Sequence, residues 1–277
     1  TAQFGGNPAL KPETADTLTA GIVFTPTFLR RLSLTVDYFD IKLTNAIGII
    51  PRSTSIQQCL LTSEPQFCNN VIRYDNTGYI RTVNAQNINI ADTKTRGIDV
   101  NLRYGRALGL TTDDRLDLSV LYTHTLRYKT QSAPAAPAYS GVGNLEYGAA
   151  FRDKVNATAT YSAGPYSVNW TTTYLSPMVD TVRDEFADYA DQIGLSPEIA
   201  AHNEIASRFY HDVQLRARVG EESRQMEMFF GVTNLFDRKP PKLEDTVFYG
   251  TITGTTTAAD VYDPIGRRFY VGAQLKF

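Results

Sequence analysis

The chain has 277 residues, a formal net charge of −2, 42% hydrophobic and 11% aromatic residues. That length can bury a substantial core, the near-neutral charge leaves no footprint for nucleic acid, and no apolar run reaches the roughly 18 to 20 residues of a membrane-spanning helix. The opening "TAQFGGNPAL" has neither the charged start nor the apolar block of a signal peptide and begins without Met, so a processed chain or a piece of a longer one is expected.

Alternation with a period of two marks nine segments in chain order, near 14–25, 31–46, 79–104, 114–129, 152–163, 165–176, 207–219, 224–237 and 267–277. Ile98, Val100, Leu102 and Tyr104 alternate with polar residues, and so do Leu116, Leu118, Val120 and Tyr122. The same holds for Val155, Ala157, Ala159 and Tyr161, and for Val213, Leu215, Ala217 and Val219. The last segment sets Phe269, Val271, Ala273, Leu275 and Phe277 against Tyr270, Gly272, Gln274 and Lys276, to the final residue. Repeated strict alternation predicts antiparallel strands with one apolar face.

Short connections ("TPTFLRR", "YGRALGLTTDDR", "YSAGPYS", "RVGEESRQM") alternate with long ones, roughly 48–78, 129–152, 177–207 and 238–267. A soluble sandwich has no need of that rule, whereas an outer-membrane barrel has tight periplasmic turns and long extracellular loops. Aromatic residues near strand ends (Tyr38, Tyr104, Tyr122, Tyr128, Tyr161, Trp170, Tyr174, Phe230, Phe269) suit interfacial girdles, with core packing as the competing explanation. A barrel strand at the chain terminus does not fray, because closure leaves no edge. The expected fold is therefore all-β, an antiparallel transmembrane barrel segment.

Cys59 and Cys68 lie in the polar stretch "CLLTSEPQFC", which predicts a local disulfide in an oxidising compartment. Closing so short a loop stabilises it by about 3 kcal/mol in the chain-entropy picture. His124, His202 and His211 are scattered without metal-ligand spacing, and they are expected at interfaces or in loops. No nucleophile elbow, phosphate loop or dinucleotide fingerprint is present, so neither an enzyme nor a cofactor is expected. Asp184, Asp188 and Asp191 fall at helical spacing in a long loop and are expected to form a solvated acidic face, since the calcium-loop pattern is missing. Asp263, Pro264, Gly266 and Arg267 in "YDPIGRR" are expected to turn the last loop into its strand.

Five stretches, in order, resemble the TonB-dependent receptors, outer-membrane transporters of Gram-negative bacteria. "GNPALKPETADTLTAGIVFTP" is similar to the family's lead into a late barrel strand, and "SLTVDYFDIKLTNAI" to the strand that follows. "TKTRGIDVNLRY", "FFGVTNLFDRKPP" and "YDPIGRRFYVGAQLKF" are similar to its Gly-Ile-Asp strand, its Gly-Val-x-Asn-Leu-Phe-Asp signature and its closing strand.

The resemblance implies a barrel of about 22 strands, of which residues 1–277 would supply about nine as the C-terminal portion. The plug domain and the TonB box would lie outside this sequence. It also implies uptake of a scarce nutrient (an iron-siderophore, cobalamin or a glycan) and outer-membrane lipid, a TonB complex and the barrel-assembly machinery as partners. The terminal strand, Phe269 to Phe277, would be the assembly signal.

Strand phase together with family analogy nominates Arg127, Arg208, Tyr210 and loop residues Tyr139, Tyr147 and Tyr249 as contacts for a small-molecule or glycan ligand. Two other readings stay open: a small passive barrel such as a porin or adhesin, and a soluble carbohydrate-binding β-domain.

Overall fold

The computed structural model describes residues 2–3, 5–50, 52–131, 138–145, 148–179, 204–221, 224–242, 257–259 and 261–276. In chain order the elements are β1 (Ala2–Gln3), β2 (Thr14–Phe24), β3 (Leu32–Ile49), α1 (Arg52–Thr62), α2 (Pro65–Cys68), β4 (Val71–Arg73) and β5 (Ile80–Asn84). They continue with β6 (Asn87–Arg106), β7 (Asp114–Gln131), β8 (Ala138–Ser140), β9 (Asp153–Ala163), β10 (Tyr166–Leu175) and β11 (Met178–Val179). The last are β12 (Glu204–Ile205), β13 (Arg208–Glu221), β14 (Arg224–Thr233) and β15 (Arg268–Lys276). No helix among the described residues is long and apolar enough to cross a membrane. The chain forms two compact units. One comprises Thr1–Leu18, Asp40–Thr95 and Tyr128–Ser140, and the other Thr19–Phe39, Arg96–Arg127 and Gly141–Phe277.

The first unit contains the long connection after β3. Two helices occupy a stretch that alternation alone leaves as loop. Pro65, which lacks an N–H to satisfy, opens α2 after the extended Glu64. The predicted disulfide joins Cys59 of α1 to Cys68 of α2. Phe67 and Ile50 are buried beside it, with Cys59 and Ile88 packed against them. β1, β5 and β4 form a separate three-stranded sheet. The expected single strand 79–104 is therefore two strands, β5 and β6, divided at Ala85–Gln86. Across "RTVNAQNINI" the apolar positions change phase, from Val83 and Ala85 to Ile88 and Ile90, and the slip falls where β5 ends and β6 begins.

The wall strands follow the order β15-β14-β13-β10-β9-β7-β6-β3-β2, so β2 and β15 stand at its two ends, unpaired with each other among the described residues. Within the second unit the cross-strand register sorts the wall into rows. One apolar row runs Leu116, Tyr161, Val168, Leu215, Phe230, Val271, and the next runs Leu118, Ala159, Trp170, Val213, Val232, Phe269. Val168, Leu215, Phe230 and Val271 of the first row are all exposed, Val271 at 81%.

The alternate rows are polar. One of them runs Asp117, Thr160, Asn169, Gln214, Gly231, Tyr270. Side-chain hydrogen bonds cross this face, with Asn169 Nδ2 donating to Thr160 Oγ1 (2.7 Å) and Gln214 Nε2 to Tyr270 Oη (3.0 Å). A water-soluble sheet hides its apolar rows and wets its polar ones; here the apolar rows are outermost except at the buried Val232, the arrangement a barrel shows to lipid.

Two glycines on the polar face hold the last hairpin in register. A Cβ at Gly231 would run into the Tyr270 ring, and one at Gly272 into the Phe229 ring, so each aromatic lies across the glycine opposite it. At the short-connection end, the Asp114 carboxylate accepts the backbone N–H groups of Leu108, Gly109, Leu110 and Thr111, which fixes the turn between β6 and β7.

Candidate functional site

The candidate site lies in the second unit, at the long-connection end of the polar face. Pairing stacks Lys154, Leu175 and Arg208 in one row and Asn156, Thr173 and Tyr210 in the next, followed by Thr158, Thr171 and Asp212. Beside them is a hollow of about 270 Å³, lined by Lys154, Thr173, Tyr210, Asp212 and Arg268 among others. Over this end a small buried core forms from Leu175 at the end of β10 and from Met178, Ile205, Ala258 and Tyr262 of the connections, with Phe151, Tyr210 and Val261 packed against it. Tyr262 is only 2% exposed and meets Phe151 edge-on at 5.9 Å between ring centroids. Burial pushes its phenol up to about 12, against a smaller downward pull from Arg208.

The connection after β14 is tied down by its own polar residues. Asn234, 1% exposed, has a left-handed backbone (φ 53°). Its side chain accepts the Arg238 N–H and donates to the Arg238 carbonyl, while its own N–H donates to Asp212 Oδ1 at 2.7 Å. Asp237 accepts the Arg267 N–H (3.0 Å) and pairs with Lys239 (2.9 Å). The Lys239 ammonium, and after it the Arg267 N–H, hold the Asp237 carboxyl below its ordinary value. Asp263 pairs with Arg268 and accepts the Ile265 N–H, and Gly266 at φ 83° completes the turn into β15. The "GVTNLFD" and "YDPIGR" stretches are thus structural clamps on one junction.

The apolar side of the same end carries aromatic rings. Trp170, Phe209, His211 and Phe236 meet at centroid distances of 5.2–6.5 Å, and Tyr174 meets Phe209 at 4.8 Å. His211 Nδ1 accepts from Thr172 Oγ1 (3.0 Å) and Trp170 Nε1 (3.3 Å). On the adjoining strands, Tyr122 Oη donates to Asp153 Oδ1 (2.8 Å), and His124 Nδ1 lies 2.7 Å from the same oxygen. His124 and His211, expected at interfaces, stand on this apolar side with polar partners.

Of the nominated contacts, the structure brings Arg208 and Tyr210 together. Arg127 is exposed near the end of β7, and Tyr139 lies in β8, opposite Thr130. Tyr147, Tyr249, Phe277, His202 and the carboxylates Asp184, Asp188 and Asp191 lie outside the described residues. Phe269, Val271, Ala273 and Leu275 are exposed along β15, which pairs only with β14 among the described residues. Sequence reasoning missed Lys154 and Tyr262. Lys154 interrupts no pattern, and Tyr262 follows a loop with no period.

A family model described as TonB dependent receptor-like, beta-barrel matches residues 1–235. Among solved structures, a ferric enterobactin receptor mutant from Pseudomonas aeruginosa matches with a TM-score of 0.58 at 16% identity. A siderophore receptor from Acinetobacter baumannii matches at 0.56 and 14%, and an iron transporter from Neisseria meningitidis at 0.54 and 13%. Each match covers 98% of this chain and 32% of the other, so the chain spans about a third of their length. At these identities the likeness is one of fold. No curated protein matches.

Proposed function

Because the chain belongs to the TonB-dependent receptor β-barrel family, outer-membrane barrels of Gram-negative bacteria, we propose that it is the C-terminal wall of a receptor that takes up a scarce nutrient by TonB-coupled transport. The observation that carries this is the inverted wall, with exposed apolar rows such as Val168, Leu215, Phe230 and Val271 backed by hydrogen-bonded polar rows. That wall meets lipid on one side and a polar lumen on the other. A soluble carbohydrate-binding domain would leave those rows in water. A small passive barrel would have to close on itself, whereas among the described residues β2 and β15 are the unpaired ends of the order.

In this reading the long connections capture the ligand at the outer mouth, and a plug region beyond this sequence moves when TonB draws on it. An iron-siderophore is the favoured cargo, since the solved structures of like fold include siderophore receptors and an iron transporter. Arg208 and Tyr210 on the lumen face, with Arg127 and Tyr139, are the proposed contacts. β15 is the strand the assembly machinery would read.

The test is radiolabelled iron uptake from siderophore-containing medium under iron starvation. It compares the parent strain, a strain lacking this gene and a strain lacking TonB. Uptake lost in both mutants and restored by the full-length gene is the expected result; unchanged uptake in the gene deletion would sink the siderophore assignment.

A further inference from the structure

Arg208 Nε, Tyr210 Oη and Tyr262 Oη are buried without a hydrogen-bond partner among the described residues. Native structures seldom leave such groups unpaired, and an unpaired buried donor points to something that binds there. The three belong to one neighbourhood. Arg208 and Tyr210 occupy consecutive rows of the lumen face, Tyr210 packs on the core that contains Tyr262, and both perturb the Tyr262 phenol electrostatically.

The adjoining hollow is lined by charges of both signs, Lys154 and Arg268 against Asp212 and Asp263. Its other ionic groups are already committed: Arg268 to Asp263 at 2.9 Å, and Asp212 Oδ1 to the Asn234 N–H. The Lys154 ammonium, one row from Tyr210, has no carboxylate partner among the described residues. The orphan guanidinium N–H and the unpaired ammonium can only donate, and the two orphan phenols can donate as well as accept. What they jointly lack is an acceptor, and an anionic one satisfies the most of them at once.

We propose that this hollow is an oxyanion subsite that takes a carboxylate of the captured ligand, with Lys154 contacting its oxygens, the Tyr210 hydroxyl turning out of its buried position to join it, and Arg208 and Tyr262 closing the site behind them. The volume, about 270 Å³, accepts one carboxylate-bearing arm and not a whole chelate. The apolar core of Leu175, Met178 and Ile205 forms the dry side of the junction, where a charge-assisted hydrogen bond keeps more of its strength than in water. The subsite rests on the receptor reading for its place at the outer mouth, but its chemistry can be tested separately.

The experiment uses the full-length receptor in detergent, folded as judged by its heat-modifiable migration, and succinate as probe, with succinamide as the neutral isostere. Saturation-transfer NMR should detect saturable succinate binding and none of succinamide. Lys154→Met and Tyr210→Phe should each weaken succinate at least about tenfold, the worth of one charge-assisted hydrogen bond. Lys154→Arg, which keeps the charge, should stay close to wild type. Equal binding of both probes, absence of succinate binding at tens of millimolar, or variants that bind like wild type would overturn the subsite. Failure of iron uptake with succinate binding intact would remove the transport reading and leave the subsite standing.

Discussion

In the wall, Leu215, Phe230 and Val271 are exposed side by side, whereas in the connections at its end Met178, Ile205 and Tyr262 are each below 5% exposed. One chain thus follows opposite burial rules in two places. The wall keeps its polar groups on the hydrogen-bonded lumen face and gives its apolar rows to hydrocarbon. The connections face water and fold as small soluble proteins do, with an apolar core, a disulfide and capped turns. The difference teaches that the meaning of a hydrophobic residue depends on the solvent its element meets, which the residue alone does not specify.

The strongest way to break this comparison is a charge on the apolar rows. Leu215→Arg should cost about 2–4 kcal/mol, the range for a cation near the bilayer midplane, while the neighbouring Gln214→Arg should cost far less. Urea unfolding of the full-length receptor in phospholipid vesicles measures both. Equal costs would mean that the two faces meet the same solvent.

Next in size is the staple. Cys59→Ser combined with Cys68→Ser should lower the local stability of the first unit's connection by about 3 kcal/mol on the chain-entropy model. Faster hydrogen exchange at Val71–Arg73 and Ile80–Asn84, with β9 and β10 unchanged, is the expected pattern. Faster exchange throughout the wall would contradict the separation of the two regimes.

How legible this was differs between the regimes for the same reason. Wall strands such as Leu116–Tyr122 or Phe269–Leu275 show their period directly, because a pleated strand between two solvents forces strict alternation. The disulfide was legible because two close cysteines in a polar loop have few other uses. The helices Arg52–Thr62 and Pro65–Cys68 were not, since α1 is short and only weakly amphipathic and α2 is a single turn. The candidate site was half legible. Arg208 and Tyr210 follow from strand phase, whereas Tyr262 reaches them through a connection that carries no period, and Lys154 becomes notable only once its missing partner is seen.

A smaller effect tests the core over the wall's end. Tyr262 has its phenol pushed up to about 12 by burial, from an ordinary 10.0. The neutral phenol is favoured in the folded state, so its contribution is complete below pH 10, declines as the unfolded form ionises, and is lost through the folded value. The span corresponds to at most about 2.7 kcal/mol. Hydrogen exchange at Ala258 and Val261, relative to free peptide, should lose protection between pH 10 and 12. Tyr262→Phe should remove that loss, and a variant with the same alkaline profile would refute the assignment.

The smallest effect is at the other pH extreme and concerns Asp237, the clamp between the connection after β14 and the start of β15. Lys239 first, and the Arg267 N–H second, hold its carboxyl below the ordinary 3.8. A depressed folded value means that the clamp stabilises fully above the unfolded value and fails only as pH falls through the folded one, below 3.8. Pepsin, active in that range, reports it at the Leu235–Phe236 bond, where Phe236 is exposed. The wild-type receptor should resist cleavage down to the ordinary carboxylate value and become sensitive below it, whereas Asp237→Asn should be sensitive at every acid pH tested. Because Lys239 is exposed, added salt should move the wild-type onset upward by screening the pair. An onset above 3.8 at low salt would mean that the carboxylate is not held by its partners, and the clamp would have to rest on Asn234 alone.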